Sequence, residues 1–140
     1  MLGGGKAIGG ELPPGGQARE RRVAAGPVTD YASLVRHLRA GGVSVGFEEE
    51  VEQPFFSVKG KVLRVRDEHV QVFEYPAAAA AQAEAGRVSA NGMTVGTTKV
   101  HWLGPPHFYQ RGKLLVLYVG ENREVQKALE AALGPQFAGQ

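Results

Sequence analysis

Residues 107–134, HFYQRGKLLVLYVGENREVQKALEAALG, contain a hairpin followed by a helix, and this pair of elements decides the fold. The uninterrupted apolar run Leu114–Val119 predicts a strand in the middle of a sheet, covered on both faces or nearly so. A helix is predicted after it, because Asn122 is a good N-cap and Gly134 is followed by a proline that stops a helix. The apolar stripe of this helix comprises Val125, Ala128, Leu129, Ala132 and Leu133.

The same order of elements occurs earlier in the chain. Runs rich in β-formers at 62–66 and 70–75 flank a turn at Asp67–Glu68, and together they predict a second hairpin. The alanine-rich segment 77–85 follows a proline, so it predicts a helix whose small-residue face lies against the sheet. Glu84 in this helix is expected to face water.

A third helix is predicted before the first hairpin. Thr29 is a suitable N-cap, Gly41 lies where a C′ residue belongs, and the apolar residues between them recur at helical spacing. Amphipathic helices need a sheet to cover, and hairpins make that sheet antiparallel. We therefore predict an α+β fold, in which an antiparallel sheet of about five to six strands packs against three helices in a two-layer sandwich.

An acidic run separates the first helix from the first hairpin. Val43, Val45 and Phe47 alternate with smaller residues and predict a half-buried strand. Glu48–Glu52 then carries four carboxylates without the glycine turn or the spacing of an EF-hand, so we expect a solvated loop or sheet edge there. The adjacent Phe55–Phe56 pair is expected to be buried in the core.

Composition divides the chain at residue 27. Residues 1–27 hold eight of the 20 glycines, three of the eight prolines and none of the aromatic residues. Four basic and two acidic side chains in this segment account for the whole formal net charge of +2. We therefore predict a disordered tail or linker over 1–27 and a single domain over 28–140. The absence of cysteine excludes disulfides, thiol enzymes and zinc sites with cysteine ligands.

No motif indicates a cofactor, and none is expected. The glycine-rich start resembles a phosphate loop, but Ala7 follows Lys6 where a Ser or Thr is needed, and no strand precedes it. The sequence also contains no run long enough for a transmembrane helix.

Histidines and aromatic residues around a proline turn are the candidate functional residues. If a strand over Val100–Leu103 pairs with His107–Tyr109, His101 and His107 approach each other, and Glu74 ends a neighbouring strand. Two histidines and a carboxylate are ligands that suit zinc or iron. The alternative site is an apolar ligand groove, and the simplest interpretation is packing around the turn. The candidate groove residues are Trp102, His107, Phe108, Tyr109, Phe55 and Phe56.

Four segments of the predicted domain carry a resemblance: VEQPFFSVKGKVLRV, VQVFEYPAAAAAQAEA, GTTKVHWLGPPHFYQRGKLLVLYVG and LGPQFAG. Through them the whole predicted domain, roughly residues 29–139, resembles a family of small uncharacterised bacterial proteins, many of them predicted lipoproteins of the cell envelope. The resemblance implies an exported domain joined by a linker to a membrane anchor, and it implies no activity. This sequence departs from that pattern at residues 1–27, which contain neither an apolar leader core nor a cysteine to acylate.

Three functions are compatible with these features. We expect a non-catalytic module of the bacterial envelope that binds a protein or a small ligand. A metal-dependent or acid–base enzyme using His101 and His107 is the first alternative. A weak nucleic-acid binder acting through the arginines of the tail is the second, and the zero formal net charge of residues 28–140 argues against nucleic acid as a partner. A homodimer is compatible with a long apolar strand at a sheet edge, and the excess of Arg over Lys is compatible with a thermophilic source.

Overall fold

The computed structural model describes residues 27–140, which form a six-stranded sheet, a separate two-stranded sheet and three helices. The helices are α1 (Tyr31–Ala40), α2 (Ala78–Ala85) and α3 (Arg123–Leu133). The strands are β1 (Val45–Val51), β2 (Gly60–Val65), β3 (Glu68–Glu74), β4 (Thr94–Val95), β5 (Thr98–Lys99), β6 (Pro106–Arg111), β7 (Leu114–Val119) and β8 (Ala138–Gly139). The large sheet has the order β1-β2-β3-β7-β6-β8 and is antiparallel throughout. The predicted tail lies outside the described residues except for Pro27.

Both faces of the large sheet are covered. On one face, α1 and α3 contribute Leu34 and Leu129 to a core with the sheet. On the other face, Ala81 of α2 packs with Phe55 and Phe56. The α+β class and the antiparallel sheet are confirmed, whereas the two-layer sandwich is not, because apolar layers lie on both sides of the sheet.

Strand β7 has buried apolar side chains on both faces of the sheet, so a single covering layer would leave one set of them exposed. Its side chains alternate between the two cores, with Val116 and Tyr118 on the α1–α3 side and Leu115 and Leu117 on the α2 side. It pairs with β3 on one flank and with β6 on the other. The predicted strand in the middle of the sheet is confirmed.

The β2–β3 hairpin closes through a two-residue turn. Val65 pairs with Glu68, so Arg66 and Asp67 are the turn residues, with φ of 49° and 66°. Two left-handed residues in succession match the right-handed twist of a tight hairpin. The turn predicted at Asp67–Glu68 is therefore displaced by one residue, because Glu68 already belongs to the ladder.

The helix ends are set by side-chain caps. At α1, the Asp30 carboxylate accepts a hydrogen bond from the Ser33 backbone N–H at 2.9 Å, and the Ser33 hydroxyl accepts one from the Asp30 backbone N–H at 2.9 Å. The expected cap, Thr29, is thus wrong by one residue, because Ser33 closes a capping box with Asp30. At α3, the predicted N-cap Asn122 and the end before Gly134 are confirmed.

The segment between β5 and β6 is a loop. The predicted strand over Val100–Leu103 is wrong, since none of these residues belongs to a ladder. The Trp102 indole N–H donates to the backbone carbonyl of Gly92 at 2.8 Å, and this bond holds the loop against the segment before β4. The pairing that was expected to bring His101 beside His107 is therefore not formed.

Candidate functional site

Four of the six predicted groove residues form an aromatic cluster, which consists of Phe55, Phe56, Trp102 and Phe108. Ring centroids are 4.9 Å apart for Phe55–Phe56, 5.9 Å for Phe55–Trp102 and 5.9 Å for Trp102–Phe108. Phe108 is fully buried and the two neighbouring phenylalanines are more than nine-tenths buried, which confirms the expected burial of Phe55 and Phe56. The cluster therefore fills its own space with side chains and acts as the core beneath α2.

The other two groove candidates, His107 and Tyr109, lie on the opposite face of the sheet. Alternation along β6 sends Phe108 to the α2 side, while Tyr109 joins the α1–α3 core and His107 stacks on Tyr118 at 5.7 Å. The structure thus does not bring the six residues to one surface. His107 is buried, with Nδ1 2.8 Å from the Gln136 side-chain oxygen and Nε2 2.9 Å from a backbone carbonyl.

The candidate metal ligands are also separated. The Glu74 carboxylate accepts a hydrogen bond from the backbone N–H of Tyr31 at 3.0 Å and so helps to fix the start of α1. His101 is exposed on the loop, and His107 is buried. Within residues 27–140, no group of three His, Asp or Glu side chains is arranged to hold a metal ion.

Glu84 has a structural role that its local sequence does not indicate. Its carboxylate accepts hydrogen bonds from the Ser57 backbone N–H at 2.8 Å, the Tyr75 hydroxyl at 3.0 Å and the Arg87 guanidinium at 3.0 Å. Burial opposes ionisation of this carboxyl group, but the three donors hold the pKa of Glu84 below its ordinary value. Burial, followed by the nearby Glu84, raises the pKa of Tyr75. Glu84 is therefore ionised, and its hydrogen bonds link α2 to the segment before β2. The prediction that Glu84 faces water is wrong.

Strand β1 is one edge of the large sheet, and among residues 27–140 no further strand pairs with its outer side. A cleft of about 370 Å³ separates α1 from β1, and we name it the β1–α1 cleft. Phe47 stands at its rim with 56% of its surface exposed, although it is a large aromatic residue. The cleft is lined by Tyr31, Ala32, Val35, Arg36, Arg39, Val45, Phe47 and Leu63.

Backbone groups of β1 point outward beside this cleft. The Ser44 carbonyl accepts from the Arg66 N–H at 3.2 Å on the β2 side, so alternation turns the backbone of Val45 and Phe47 toward the open edge. The Arg39 guanidinium donates to the Val45 carbonyl at 3.2 Å, which agrees with a Val45 backbone that points away from β2. The outward groups available for a further strand therefore begin at Phe47.

The acidic run predicted as a loop or edge is the second half of β1. Glu48 forms an ion pair with Arg64 at 2.6 Å on the face away from α1, which lowers the pKa of that carboxyl group. A bulge between Phe47 and Glu49 shifts the register, and Glu50 then pairs with Lys61 in the ladder. Because Phe47 pairs with Leu63, two positions from Lys61, the Phe47 and Glu50 side chains share the α1 face of the edge.

A search for known relatives of this chain gives no match among family models, curated proteins or solved structures. The resemblance to envelope lipoproteins therefore stays a prediction. In the part of the chain that the structure describes, no helix is long and apolar enough to cross a membrane.

Proposed function

We propose that this protein is a non-catalytic interaction module that binds an extended polypeptide segment along β1. The observation that carries the proposal is the exposed Phe47, which lies on an open strand edge beside the β1–α1 cleft. An added strand gains main-chain hydrogen bonds from the edge and side-chain specificity from pockets beside it. At β1, the outward backbone groups from Phe47 onward can form the main-chain hydrogen bonds, and the β1–α1 cleft is the pocket beside them.

The exposed charges of β1 indicate the charge of the segment that binds there. Glu49, Glu50 and Glu52 are exposed in the acidic half of β1, so a basic side chain is attracted there and an acidic one is repelled. The arginines of the cleft lie beside its other half, where the partner presents an apolar residue. Pairing the acidic half of β1 with that of a second copy places like charges side by side, which disfavours a homodimer in that register. We therefore assign this edge to a different polypeptide segment, with a basic residue opposite the acidic half of β1.

Spacing defines the partner further. An apolar side chain packs on Phe47 and enters the β1–α1 cleft, while a Lys or Arg two positions away on the same face meets Glu50. The bulge and the charges of β1 protect the edge from indiscriminate pairing. The same features select an extended segment that carries an apolar residue and a basic residue at this interval.

The test is a binding titration of the full chain with short synthetic strands. The first peptide alternates threonine with valine and lysine so that valine and lysine share a face, and the second peptide has glutamate in place of lysine. We expect Phe47→Ser to weaken binding of the lysine peptide by about tenfold, which corresponds to losing one apolar side-chain contact. Glu50→Lys is expected to weaken the lysine peptide and to strengthen the glutamate peptide.

Leu103→Ser is the matched control, because Leu103 is also a fully exposed apolar side chain but lies on the loop after β5. Equal effects of Phe47→Ser and Leu103→Ser would mean that binding is unspecific contact with apolar surface. Preference for the lysine peptide that survives Glu50→Lys would remove β1 as the binding edge.

A further inference from the structure

A second cleft, which is independent of the β1–α1 cleft, lies between the end of α1 and the beginning of α3. Its volume is about 250 Å³, and we name it the α1–α3 cleft. Its floor is apolar and includes Leu38, Val43 and Ala128. Its rim is polar and includes His37, Arg66, Lys127 and Glu124. An apolar floor with a few convergent polar groups is the usual composition of a small-molecule site.

The rim carries two basic side chains, Arg66 and Lys127, and one carboxylate, so its formal charge is positive. The ion pairs among residues 27–140 are Arg64–Glu48 and Arg87–Glu84, so neither Arg66 nor Lys127 forms one with a described residue. Glu124 is the single carboxylate on this rim.

The position of Arg66 supports the same conclusion. Its φ of 49° lies in the left-handed region, which favours Gly or Asn in a two-residue hairpin turn and disfavours a long side chain. Asn or Gly at this position would therefore be more favourable for folding than arginine. An arginine there places a guanidinium at the rim of the cleft, and a residue that is unfavourable for folding is typical of a functional position.

We propose that the α1–α3 cleft binds a small organic carboxylate with an apolar chain. The carboxylate is held by Arg66 and Lys127, and the chain lies on Leu38 and Ala128. The cleft volume of about 250 Å³ lies below the range of about 300–1,000 Å³ that is usual for drug-sized ligands, so the ligand is a small one. This site is separate from β1, so it stands or falls independently of the proposed peptide binding.

The experiment is a titration of the full chain with hexanoate, followed by nuclear magnetic resonance. Hexylammonium, which has the same chain and the opposite charge, and inorganic phosphate, which has no chain, are titrated in parallel. We expect saturable shifts in α1 and α3 with hexanoate only. If hexylammonium or phosphate binds as well as hexanoate, the assignment to an apolar carboxylate is overturned.

Arg66→Asn is the decisive variant, because it relieves the turn while removing the guanidinium. We expect its thermal midpoint to equal or exceed that of the parent chain, while hexanoate affinity falls by about tenfold, the loss typical of one charge-assisted hydrogen bond. Arg111→Gln is the matched control, because Arg111 is exposed at the end of β6, next to the hairpin turn at the opposite end of the sheet. Unchanged affinity in Arg66→Asn, or equal losses in both variants, would overturn the proposal.

Discussion

Replacing Phe108 with alanine tests whether the aromatic cluster is a packed core or an open groove. Phe108 is fully buried, and its ring lies 5.9 Å from Trp102 and 6.1 Å from Phe137. Removing a buried phenylalanine ring costs about 3–5 kcal/mol, since the apolar contacts are lost and a cavity remains. That loss is a large part of the stability of about 5–15 kcal/mol that is usual for a domain.

The assay is urea unfolding of the full chain, followed by circular dichroism and by the fluorescence of Trp102, which is the single tryptophan. With a slope of about 1–3 kcal/mol per molar urea, we expect the midpoint of Phe108→Ala to fall by roughly 2 M. Phe47→Ala, in which the lost ring is half exposed, is the control and should change the midpoint far less. A loss below about 1 kcal/mol for Phe108→Ala would refute the packed core, because only surface substitutions are normally that mild.

Three further predictions concern stability. Gly60→Ala should destabilise the fold by about 1–3 kcal/mol, because the added Cβ would lie 2.6 Å from the Phe73 ring, and thermal unfolding measures this loss. Asp30→Ala should cost about 1 kcal/mol through loss of the α1 cap, whereas Thr29→Ala should be nearly neutral, and a larger loss for Thr29→Ala would reverse the cap assignment. Since the folded-state pKa of Glu84 is depressed, its stabilising effect is present above its unfolded value of 4.5 and is lost as the pH falls through the folded value. As the pH falls through this range, the urea midpoint should therefore decrease less steeply for Glu84→Gln than for the parent chain. Equal slopes would contradict the link that ionised Glu84 forms between α2 and the segment before β2.

Local signals predicted much of the fold. The cap at Asn122, the stop at Gly134 and the run Leu114–Val119 each depend on neighbours within a few residues, and the structure confirms all three. The α1 cap and the β2–β3 turn were each displaced by one residue. The cap is displaced because Asp30 and Ser33 bond to each other's backbone N–H groups, and the turn is displaced because Glu68 already pairs with Val65 in the ladder.

The candidate site was harder to predict, because it depends on which residues meet across the sheet. Alternation along β6 separates His107 and Tyr109 from Phe108, but the predicted groove placed all three together. The role of Glu84 depends on Ser57, which is distant in the sequence and gives no local signal. The charges of the acidic run predicted a solvated loop or sheet edge, and the run forms part of the edge strand β1. The cleft beside β1 could not be predicted in this way, because it forms only when α1 packs next to that strand.

Amide hydrogen exchange along β1 tests the proposed peptide binding most directly. Beyond the bulge, the ladder alternation directs the backbone of Glu50 outward, as it does that of Phe47, so both amides face solvent in the free protein. Saturation with the valine–lysine peptide should slow exchange at Phe47 and Glu50 and leave Leu103 unchanged. Unchanged exchange along β1, with protection at another surface, would contradict the account.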